Sequence, residues 1–408
     1  MIASDAAECI LPASERTDGP SMRDAHCPIC GQTAGLELQL RFGAKLQLPV
    51  EIDLRHCGKD NFLFVAGGRQ SEYDQYYASN VNDSCHQEVA HGEVRSPISK
   101  LQCAHLVDAL DQFFGPPRKV LDFGCGGASL LLELASSFPS SSFFGFEPGP
   151  AAQTASHRAK LLGLTNLTFG SLDEVSAFGP YDLVIASHVI EHVLDFDLFE
   201  LLGGILTESG MLYIEVPDAL QYPTQSRLEF LYYFDRLHVN HFTPQSLGRL
   251  AARYCFGYVK HFEYAFPYRD GGDYPALGMI LRKGGETVDL PSPGILDSAR
   301  RYIRQEKQRA EDVAKLLAGF EGVLVWGAGD NFYRSAGNGG PLGDLRNMVI
   351  LDRRSCEVVA GEQTYRTMDP LSGIRGYGWP VIVTVSEGRS EISRQIADID
   401  PDRRVLFI

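Results

Sequence analysis

The stretch that decides the fold is Val120-Leu-Asp-Phe-Gly-Cys-Gly-Gly-Ala-Ser129. Its apolar start predicts a strand, its glycines predict a tight turn, and the leucine-rich residues that follow predict a helix. Such a turn lets the backbone lie against a bulky ligand, and the first N–H groups of the helix favour an anionic group. Glu147 comes 25 residues after Asp122, at the end of the next predicted strand, where a carboxylate can accept both hydroxyls of a ribose. The sequence therefore predicts a nucleotide-type binding turn.

Strands and helices alternate on the C-terminal side of this turn. Apolar runs predict buried parallel strands over residues 119–123, 143–147, 166–169, 181–187 and 211–216. Helical stretches are predicted over residues 128–138, 149–162, 191–206 and 245–254. This order is typical of a doubly wound α/β sheet, whose ligands bind at the carboxyl ends of the strands.

Changes in composition divide the rest of the chain. Residues 1–22 have few apolar side chains and predict a flexible tail, whereas residues 23–95 hold the densest set of cysteines and histidines and predict a small cysteine-rich domain with short strands. A helix over residues 101–114 should lead into the core, predicted over 96–285. Beyond a Gly/Pro-rich break, a helix over 295–320 and strands over 323–326, 348–352 and 381–385 predict a C-terminal α/β domain over 294–408.

Composition and charge limit the partners. The 408 residues carry 37 Lys and Arg against 52 Asp and Glu, a net charge of −15, which disfavours nucleic acid and anionic membranes. No apolar run is long enough to cross a membrane, and the N-terminus lacks the apolar core of a secretory signal. Nine cysteines, an odd number, favour a reduced, cytoplasmic protein with one metal site over a disulfide framework.

Four segments in order, over about residues 115–285, resemble the class I S-adenosylmethionine-dependent methyltransferases. They are the glycine turn with Glu147, the loop 170–173, the strand motif 181–192 and the strand 210–217. The resemblance implies a Rossmann-like core with S-adenosylmethionine as cofactor. The residues that would hold it are Asp122, Gly124, Gly126, Glu147, Leu172 and Ser187. Ala128 replaces or shifts the last glycine of the family motif, and the Gly-x-Gly-x-x-Gly of a dinucleotide enzyme is absent.

The segment from Tyr222 to Phe242 carries the candidate general bases. Together with the cysteine-rich front and the extra C-terminal domain, it resembles the sugar C-methyltransferases, which methylate a carbanion beside the keto group of a nucleotide-linked sugar. His241 matches the last residue of their Tyr-His-Glu-His signature, Asn240 replaces the glutamate, and His238 stands in place of the tyrosine. The resemblance implies His241 as base, with His238 or His192. The alternatives are a structural His241 and a His192 that only lines the pocket.

A metal site is predicted in the cysteine-rich front. Cys27-Pro-Ile-Cys30 is half of a zinc knuckle, because two thiolates two residues apart can share one ion. Cys57 and His56 complete the predicted four-ligand set, with His26 and Cys85 as further candidates. The alternative is a degenerate knuckle that has lost its metal.

A second glycine turn lies in the C-terminal part, where Gly327-Ala-Gly329 follows a predicted strand and Asp352 ends the next one. Phe332 stands where the third glycine of a dinucleotide motif would be, which favours a substrate-side or structural domain over NAD binding. The predicted function is methyl transfer to a small-molecule acceptor, with a nucleotide-linked keto sugar as the first candidate. The alternatives are an O- or N-methyltransferase on another metabolite, a non-catalytic binding protein with the same fold, and an NAD oxidoreductase.

Overall fold

The structure is a computed structural model. It describes residues 25–41, 51–79, 97–224, 229–267, 273–337, 339–343, 345, 347–360, 363–385 and 388–408. The predicted tail and the candidate ligand Cys85 lie outside these ranges. Within them, no helix is long and apolar enough to cross a membrane.

The cysteine-rich front forms an antiparallel sheet in the order β1-β2-β3-β4-β10. Its strands are β1 Ala25–His26, β2 Thr33–Arg41, β3 Glu51–Cys57 and β4 Phe62–Ala66, completed by β10 Asn240–His241 from much later in the chain. β10 pairs with β4 through Asn240 opposite Phe64 and His241 opposite Leu63. This pairing joins the front to the segment that carries the candidate bases. Helix α1, Gln70–Ser79, follows β4.

The central sheet has the strand order β11-β12-β9-β8-β5-β6-β7 within the described residues. Its strands are β5 Lys119–Phe123, β6 Ser142–Phe146, β7 Leu167–Gly170, β8 Tyr181–Ser187, β9 Leu206–Pro217, β11 Phe256–Pro267 and β12 Asp273–Lys283. β5 to β9 run parallel to one another. β12 pairs antiparallel with β9, and β11 pairs antiparallel with β12. The strand order reverses between β5 and β8, and ligands of such sheets bind at that switch point.

The helices of the core close to the predicted positions are α2 Pro97–Phe113, α3 Ser129–Ser137, α4 Ala151–Leu161 and α7 Pro244–Arg253, and α5 Leu172–Phe178 is a helix that was not predicted. The helix predicted over 191–206 is wrong in its first half. A 3-10 turn covers Ile190–His192, and α6 begins only at Leu198 and ends at Ile205. The backbone between them is held by side chains instead: the Gln70 amide oxygen accepts from the N–H of Leu194 at 2.7 Å, and the Asn240 amide donates to the carbonyl of Val193 at 2.6 Å.

The C-terminal part begins with α8, Ile295–Leu317, whose apolar face packs on the rest of the molecule as its periodicity predicts. A parallel sheet follows in the order β14-β13-β17-β18, beside the hairpin of β15 and β16. The strands are β13 Val323–Trp326, β14 Met348–Leu351, β15 Glu357–Ala360, β16 Gln363–Arg366, β17 Val381–Val383 and β18 Val405–Phe407; the helices are α9 Asp330–Ser335, α10 Pro370–Gly376 and α11 Arg389–Ala397.

Candidate active site

The glycine turn after β5 lies against Glu147. The N–H of Gly126 donates to Oε2 of Glu147 at 2.9 Å, and the N–H of Gly149 donates to Oε1 at 2.9 Å. Gly126 has a φ of +53°, and a methyl group on its Cα would meet no described atom within 4 Å, so open space lies beside the turn. A carboxylate has about four acceptor positions, so Glu147 still has lone pairs to offer to a ribose.

The other predicted cofactor residues lie around this turn with different exposure. Asp122 is buried, and desolvation together with the charges of Glu147 and Glu215 raises its pKa to about 7. Leu172 is the exposed first residue of α5. Ser187 ends β8, and its hydroxyl donates to Oε1 of Glu215 at 3.1 Å.

The glycine turn touches the turn after β8. Gly124 has a φ of +76°, and a methyl group on its Cα would lie 2.7 Å from Cγ2 of Val189. Only glycine allows this approach without displacing the neighbour. Since Val189 directly follows His188, the contact places the candidate cofactor turn beside the first of the clustered histidines.

A carboxylate that the sequence analysis did not single out organises this region. Glu215 is fully buried on β9 and accepts from the amide of Gln102 at 2.6 Å and from the hydroxyl of Tyr213 at 2.6 Å, as well as from Tyr264. Although burial opposes its charge, the hydrogen bonds and charge of His188, with the tyrosine hydroxyls, lower the pKa of Glu215 to about 2. Glu215 is therefore an anion that ties α2, β8 and β11 to β9.

His188 lies between two buried carboxylates. Its Nδ1 is 3.1 Å from Oε1 of Glu191, and its Nε2 is 3.1 Å from Oε1 of Glu215. Burial works against a charge on the ring, but the two carboxylates raise the pKa of His188 to about 10. At neutral pH His188 is consequently a cation and cannot serve as a base.

His192 and His238 face each other across the site, with ring centres 5.0 Å apart. His192 Nδ1 lies 2.9 Å from the carbonyl of Leu237, and because a carbonyl only accepts, this nitrogen carries a hydrogen and the ring is oriented by that bond. Burial and the neighbouring His192 lower the pKa of His238 to about 4, so its imidazole is neutral near pH 7. The structure thus brings two of the three predicted bases together.

The third predicted base, His241, is enclosed. It is only 1% exposed, its Nδ1 lies 3.1 Å from the Tyr222 hydroxyl, and the Phe234 ring packs edge-on at 4.9 Å. Burial lowers the pKa of His241 to about 3. These surroundings favour the structural alternative for His241.

Asn240, at the position where the sugar C-methyltransferase signature has a glutamate, is also a structural residue here. Its amide donates to the carbonyl of Ile190 at 3.0 Å and to that of Val193 at 2.6 Å. A glutamate could not donate these hydrogen bonds, so the asparagine fixes the turn that carries Glu191 and His192.

The cysteine-rich front gathers four candidate metal ligands. The ligand atoms of Cys27, Cys30, Cys57 and Asp60 all lie within 4.8 Å of one another. The Sγ atoms of Cys30 and Cys57 are 3.7 Å apart, and Cys27 Sγ is 3.2 Å from Oδ2 of Asp60. Burial and hydrogen bonding to Asp60 raise the pKa of the Cys30 thiol.

The predicted set of metal ligands needs one correction. His56 is not among the clustered ligand atoms, and Asp60 takes its place. Neighbouring residues of a strand point to opposite faces, and His56 therefore points away from Cys57, towards the charges of Glu37 and Arg300. Burial lowers the pKa of His56. The missed signal was the forward spacing Cys57-Gly-Lys-Asp60, which repeats the two-residue gap of Cys27 and Cys30.

The C-terminal part docks on the segment that leads to His238. Arg334 on α9 is buried, pairs with Asp235 and Glu229, and donates from Nε to the carbonyl of Phe230 at 3.1 Å. Asn331 accepts from the N–H of Phe230 at 3.1 Å.

Comparison with known proteins assigns the class. Residues 98–261 match the family model described as a methyltransferase domain, which covers less than half of the chain. The match supports the prediction of a methyltransferase in this part of the chain, and the strand order of the central sheet agrees with the predicted Rossmann-like core. No curated protein matches the sequence.

Solved structures of methyltransferases resemble the same part of the chain. An S-adenosylmethionine-dependent methyltransferase from Methanosarcina mazei is 18% identical with a TM-score of 0.37, over 44% of this chain and 98% of that one. The magnesium protoporphyrin IX methyltransferase from Synechocystis, solved with bound S-adenosylhomocysteine, is 16% identical with a TM-score of 0.35, over 45% of this chain and 83% of that one. Likeness at this level gives neither an acceptor nor a mechanism.

Proposed function

We propose that the protein transfers a methyl group from S-adenosylmethionine to a small molecule, with a nucleotide-linked sugar as the acceptor class. The observation that carries the proposal is the contact of the two turns, in which Gly124 packs on Val189 next to His188. S-adenosylmethionine, when bound, supplies a methyl group already activated by its sulfonium. The protein therefore has to align the acceptor with the donor and receive the acceptor's proton.

The residues of the glycine turn fit such a donor. Open space lies beside Gly126, and Glu147 is held by the N–H groups of Gly126 and Gly149 with its remaining lone pairs available for the two ribose hydroxyls. Leu172 and Ser187 lie at the ends of β7 and β8, where an adenine and an amino-acid tail would extend from the turn.

A histidine of the pair His192 and His238 is the proposed proton acceptor. The Nδ1 hydrogen of His192 is fixed on the Leu237 carbonyl, so the ring is oriented and Nε2 is the basic atom. His238 is neutral because of its low pKa. A base that is both neutral and oriented at working pH is what general-base catalysis needs.

The acceptor atom is better supported as an oxygen than as a carbon. Abstraction of a proton from carbon needs a strong base, which a neighbouring carboxylate can provide by pairing with the histidine. The sugar C-methyltransferase signature has a glutamate at this position, but here Asn240 donates its amide hydrogens to the carbonyls of Ile190 and Val193. A sugar hydroxyl is more acidic than such a carbon. O-methylation of such a sugar is accordingly the candidate that Asn240 favours over C-methylation.

The C-terminal part is proposed to hold the bulk of the acceptor. It is joined to the stretch before His238 through Arg334 and its two carboxylate partners Asp235 and Glu229. A molecule that reaches from the histidines towards this junction would contact both parts of the chain.

A labelled-methyl assay on a panel of acceptors tests the proposed function. Nucleotide-linked keto sugars, their hydroxyl counterparts and unlinked sugars are incubated with labelled S-adenosylmethionine, and the bond to the methyl group is assigned by NMR. Transfer to a nucleotide-linked sugar is expected, with at least a tenfold loss in Glu147→Ala and no change in His157→Ala, a matched exposed site. Donor binding that Glu147→Ala leaves unaffected, with no transfer, would support the non-catalytic alternative.

We also propose that Cys27, Cys30, Cys57 and Asp60 bind a structural Zn²⁺. Zn²⁺ takes both thiolates and carboxylates, and tetrahedral Zn–S bonds place two sulfurs roughly 3.8 Å apart. The 3.7 Å between Cys30 and Cys57 fits this geometry. Arg249, whose guanidinium is 3.5 Å from Oδ1 of Asp60, offsets part of the negative charge of this ligand set.

Metal analysis with three variants tests the ligand set. About one equivalent of zinc is expected in the purified protein. Asp60→Cys should slow zinc loss to a chelator, Asp60→Ala should speed it, and His56→Ala should leave it unchanged. Less than about 0.2 equivalents in the wild-type protein, or zinc loss that depends on His56 and not on Asp60, would contradict the site.

A further inference from the structure

A second group of candidate metal ligands lies on the turn after β8 and on the segment just before β10. The ligand atoms of Glu191, His192 and His238 lie within 4.8 Å of one another. We propose that these three side chains bind one divalent cation, and that this cation holds the oxygen of the acceptor. The proposal rests on the proposed function and changes one part of it. His192 and His238 would bind the cation, and they would then not take the acceptor's proton themselves.

Three buried polar atoms at this place find no hydrogen-bond partner among the residues that the structure describes. They are Oε2 of Glu191, Nδ1 of His238 and the hydroxyl of Tyr77, whose ring packs edge-on at 5.6 Å from that of His192. Glu191 is only 1% exposed, so water does not readily satisfy its second oxygen. Orphaned polar atoms are rare in folded proteins, and several together indicate an ion or ordered water.

The ligand atoms are oriented as in metal sites. A metal-binding histidine usually donates its other ring N–H to a carbonyl or carboxylate, and His192 donates Nδ1–H to the carbonyl of Leu237. Its Nε2 then faces Oε1 of Glu191 at 3.7 Å. The same oxygen lies 3.1 Å from Nδ1 of His188, which leaves Oε2 as the unpartnered oxygen of Glu191, and Asn240 fixes the turn on which Glu191 lies.

The donor set indicates which cations fit. Two imidazoles and one carboxylate suit Mn²⁺, Fe²⁺, Co²⁺ or Zn²⁺ better than soft Cu⁺ or an all-oxygen Ca²⁺ site. Three protein ligands leave coordination positions open for the acceptor. The two candidate metal groups differ in chemistry, because the N-terminal group is rich in thiols and this one has none.

The chemical step balances without any further reactant. A sugar hydroxyl that binds the cation becomes more acidic, and its proton leaves to solvent. The oxygen electron pair forms the new bond to the methyl carbon, while the electrons of the C–S bond return to sulfur and S-adenosylhomocysteine departs. The cation would also accept a neighbouring keto or hydroxyl oxygen, which favours acceptors with two adjacent oxygens.

Titration with Mn²⁺, followed by the electron paramagnetic resonance signal of free Mn²⁺, tests the site. Mn²⁺ prefers imidazole and carboxylate to thiolate, so the cysteine group contributes little to the signal. The wild-type protein is expected to bind about one equivalent, and Glu191→Gln and His238→Ala should each weaken binding at least tenfold. His157→Ala is the matched control, and circular dichroism verifies that each variant is folded.

Absence of Mn²⁺ binding to the wild-type protein below 1 mM (roughly −4 kcal/mol) would overturn the cation site whatever the variants do. Binding that Glu191→Gln and His238→Ala leave unchanged would overturn it as well. Calorimetry with S-adenosylhomocysteine in the presence of EDTA separates this result from the proposed function. Donor binding without Mn²⁺ binding retains the methyltransferase and removes the cation, whereas loss of donor binding removes the methyltransferase itself.

Discussion

Two glycine turns of this chain each follow a parallel strand and precede an acid after the next strand, and they differ in how that acid is paired. At the first turn, a methyl group on Gly126 would meet no described atom within 4 Å. At the second turn, a methyl group on Gly327 would lie 2.5 Å from Cγ1 of Val385 and 2.9 Å from Oγ1 of Thr384. The spaces beside the two turns are nevertheless alike, because a methyl group on Gly124 of the first turn would lie 2.7 Å from Val189, and one on Gly329 of the second turn, like one on Gly126, would meet no described atom within 4 Å.

The acids that accompany the two turns differ in how far their charge is already paired. Glu147 accepts from two backbone N–H groups. Asp352 accepts from the N–H of Ala328 at 3.2 Å and from the guanidinium of Arg354 at 3.1 Å, so its charge is already paired. A glycine turn followed by an acid therefore indicates a nucleotide site only where the carboxylate remains open.

The largest expected effect is on the affinity for the cofactor, which should depend on Glu147 and not on Asp352. Glu147→Gln removes the charge that would accept two ribose hydroxyls, and hydrogen bonds to a charged group contribute about 1.5–3 kcal/mol each. The affinity for S-adenosylhomocysteine, measured by calorimetry, should fall by at least about tenfold and as much as about a hundredfold. Asp352→Asn should leave it unchanged. Equal losses in both variants would break the comparison.

The next effect separates the two glycines. Gly327→Ala forces a methyl group into Val385 at a φ of +108°, so the free energy of unfolding should fall by about 2–3 kcal/mol, while donor affinity stays the same. In Gly126→Ala the methyl group meets no neighbour and should cost only about 1 kcal/mol of stability, but it should lower the affinity for the methyl donor. Urea denaturation and calorimetry on both variants measure the contrast, and the reverse pattern would contradict it.

A smaller effect concerns the pH dependence of stability. Burial raises the pKa of Asp122 from its ordinary value of 3.8 to about 7, so folding disfavours its charged form. The wild-type protein should lose stability as pH rises from about 4 through about 7, and Asp122→Asn should escape that loss. At pH 8 the variant should be more stable by about 1–2 kcal/mol, with the difference vanishing near pH 4. Denaturation at a series of pH values checks this, and a variant that is less stable at pH 8 than at pH 4, relative to wild type, would refute it.

Much of the parallel core could be predicted from local pattern. Buried strands such as Lys119–Phe123 and Tyr181–Ser187 have continuous apolar runs bounded by polar residues, and both have the predicted bounds. The pairing of Glu147 with the glycine turn was also predictable, since the ends of neighbouring parallel strands meet at one edge.

Features that depend on distant residues could not be predicted in this way. The helix over 191–206 has a helical pattern, but Gln70 and Asn240 bind its backbone from elsewhere in the chain and interrupt it. The approach of Asp60 to Cys27 is also set by the fold, although the spacing of Asp60 from Cys57 was a local signal that pointed to it. The buried carboxylate of Glu215 lies in an apolar strand, where no local pattern shows whether an acid is buried or exposed.

A crystal structure of the protein soaked with S-adenosylhomocysteine tests the central claim most directly. The account predicts a ribose on the carboxylate of Glu147 and an adenosyl group along residues 124–127, with the sulfur directed towards the turn of His188 and His192. Density at the turn of Gly327 and Asp352 instead, or no ligand beside Gly126 at saturating concentration, would contradict it.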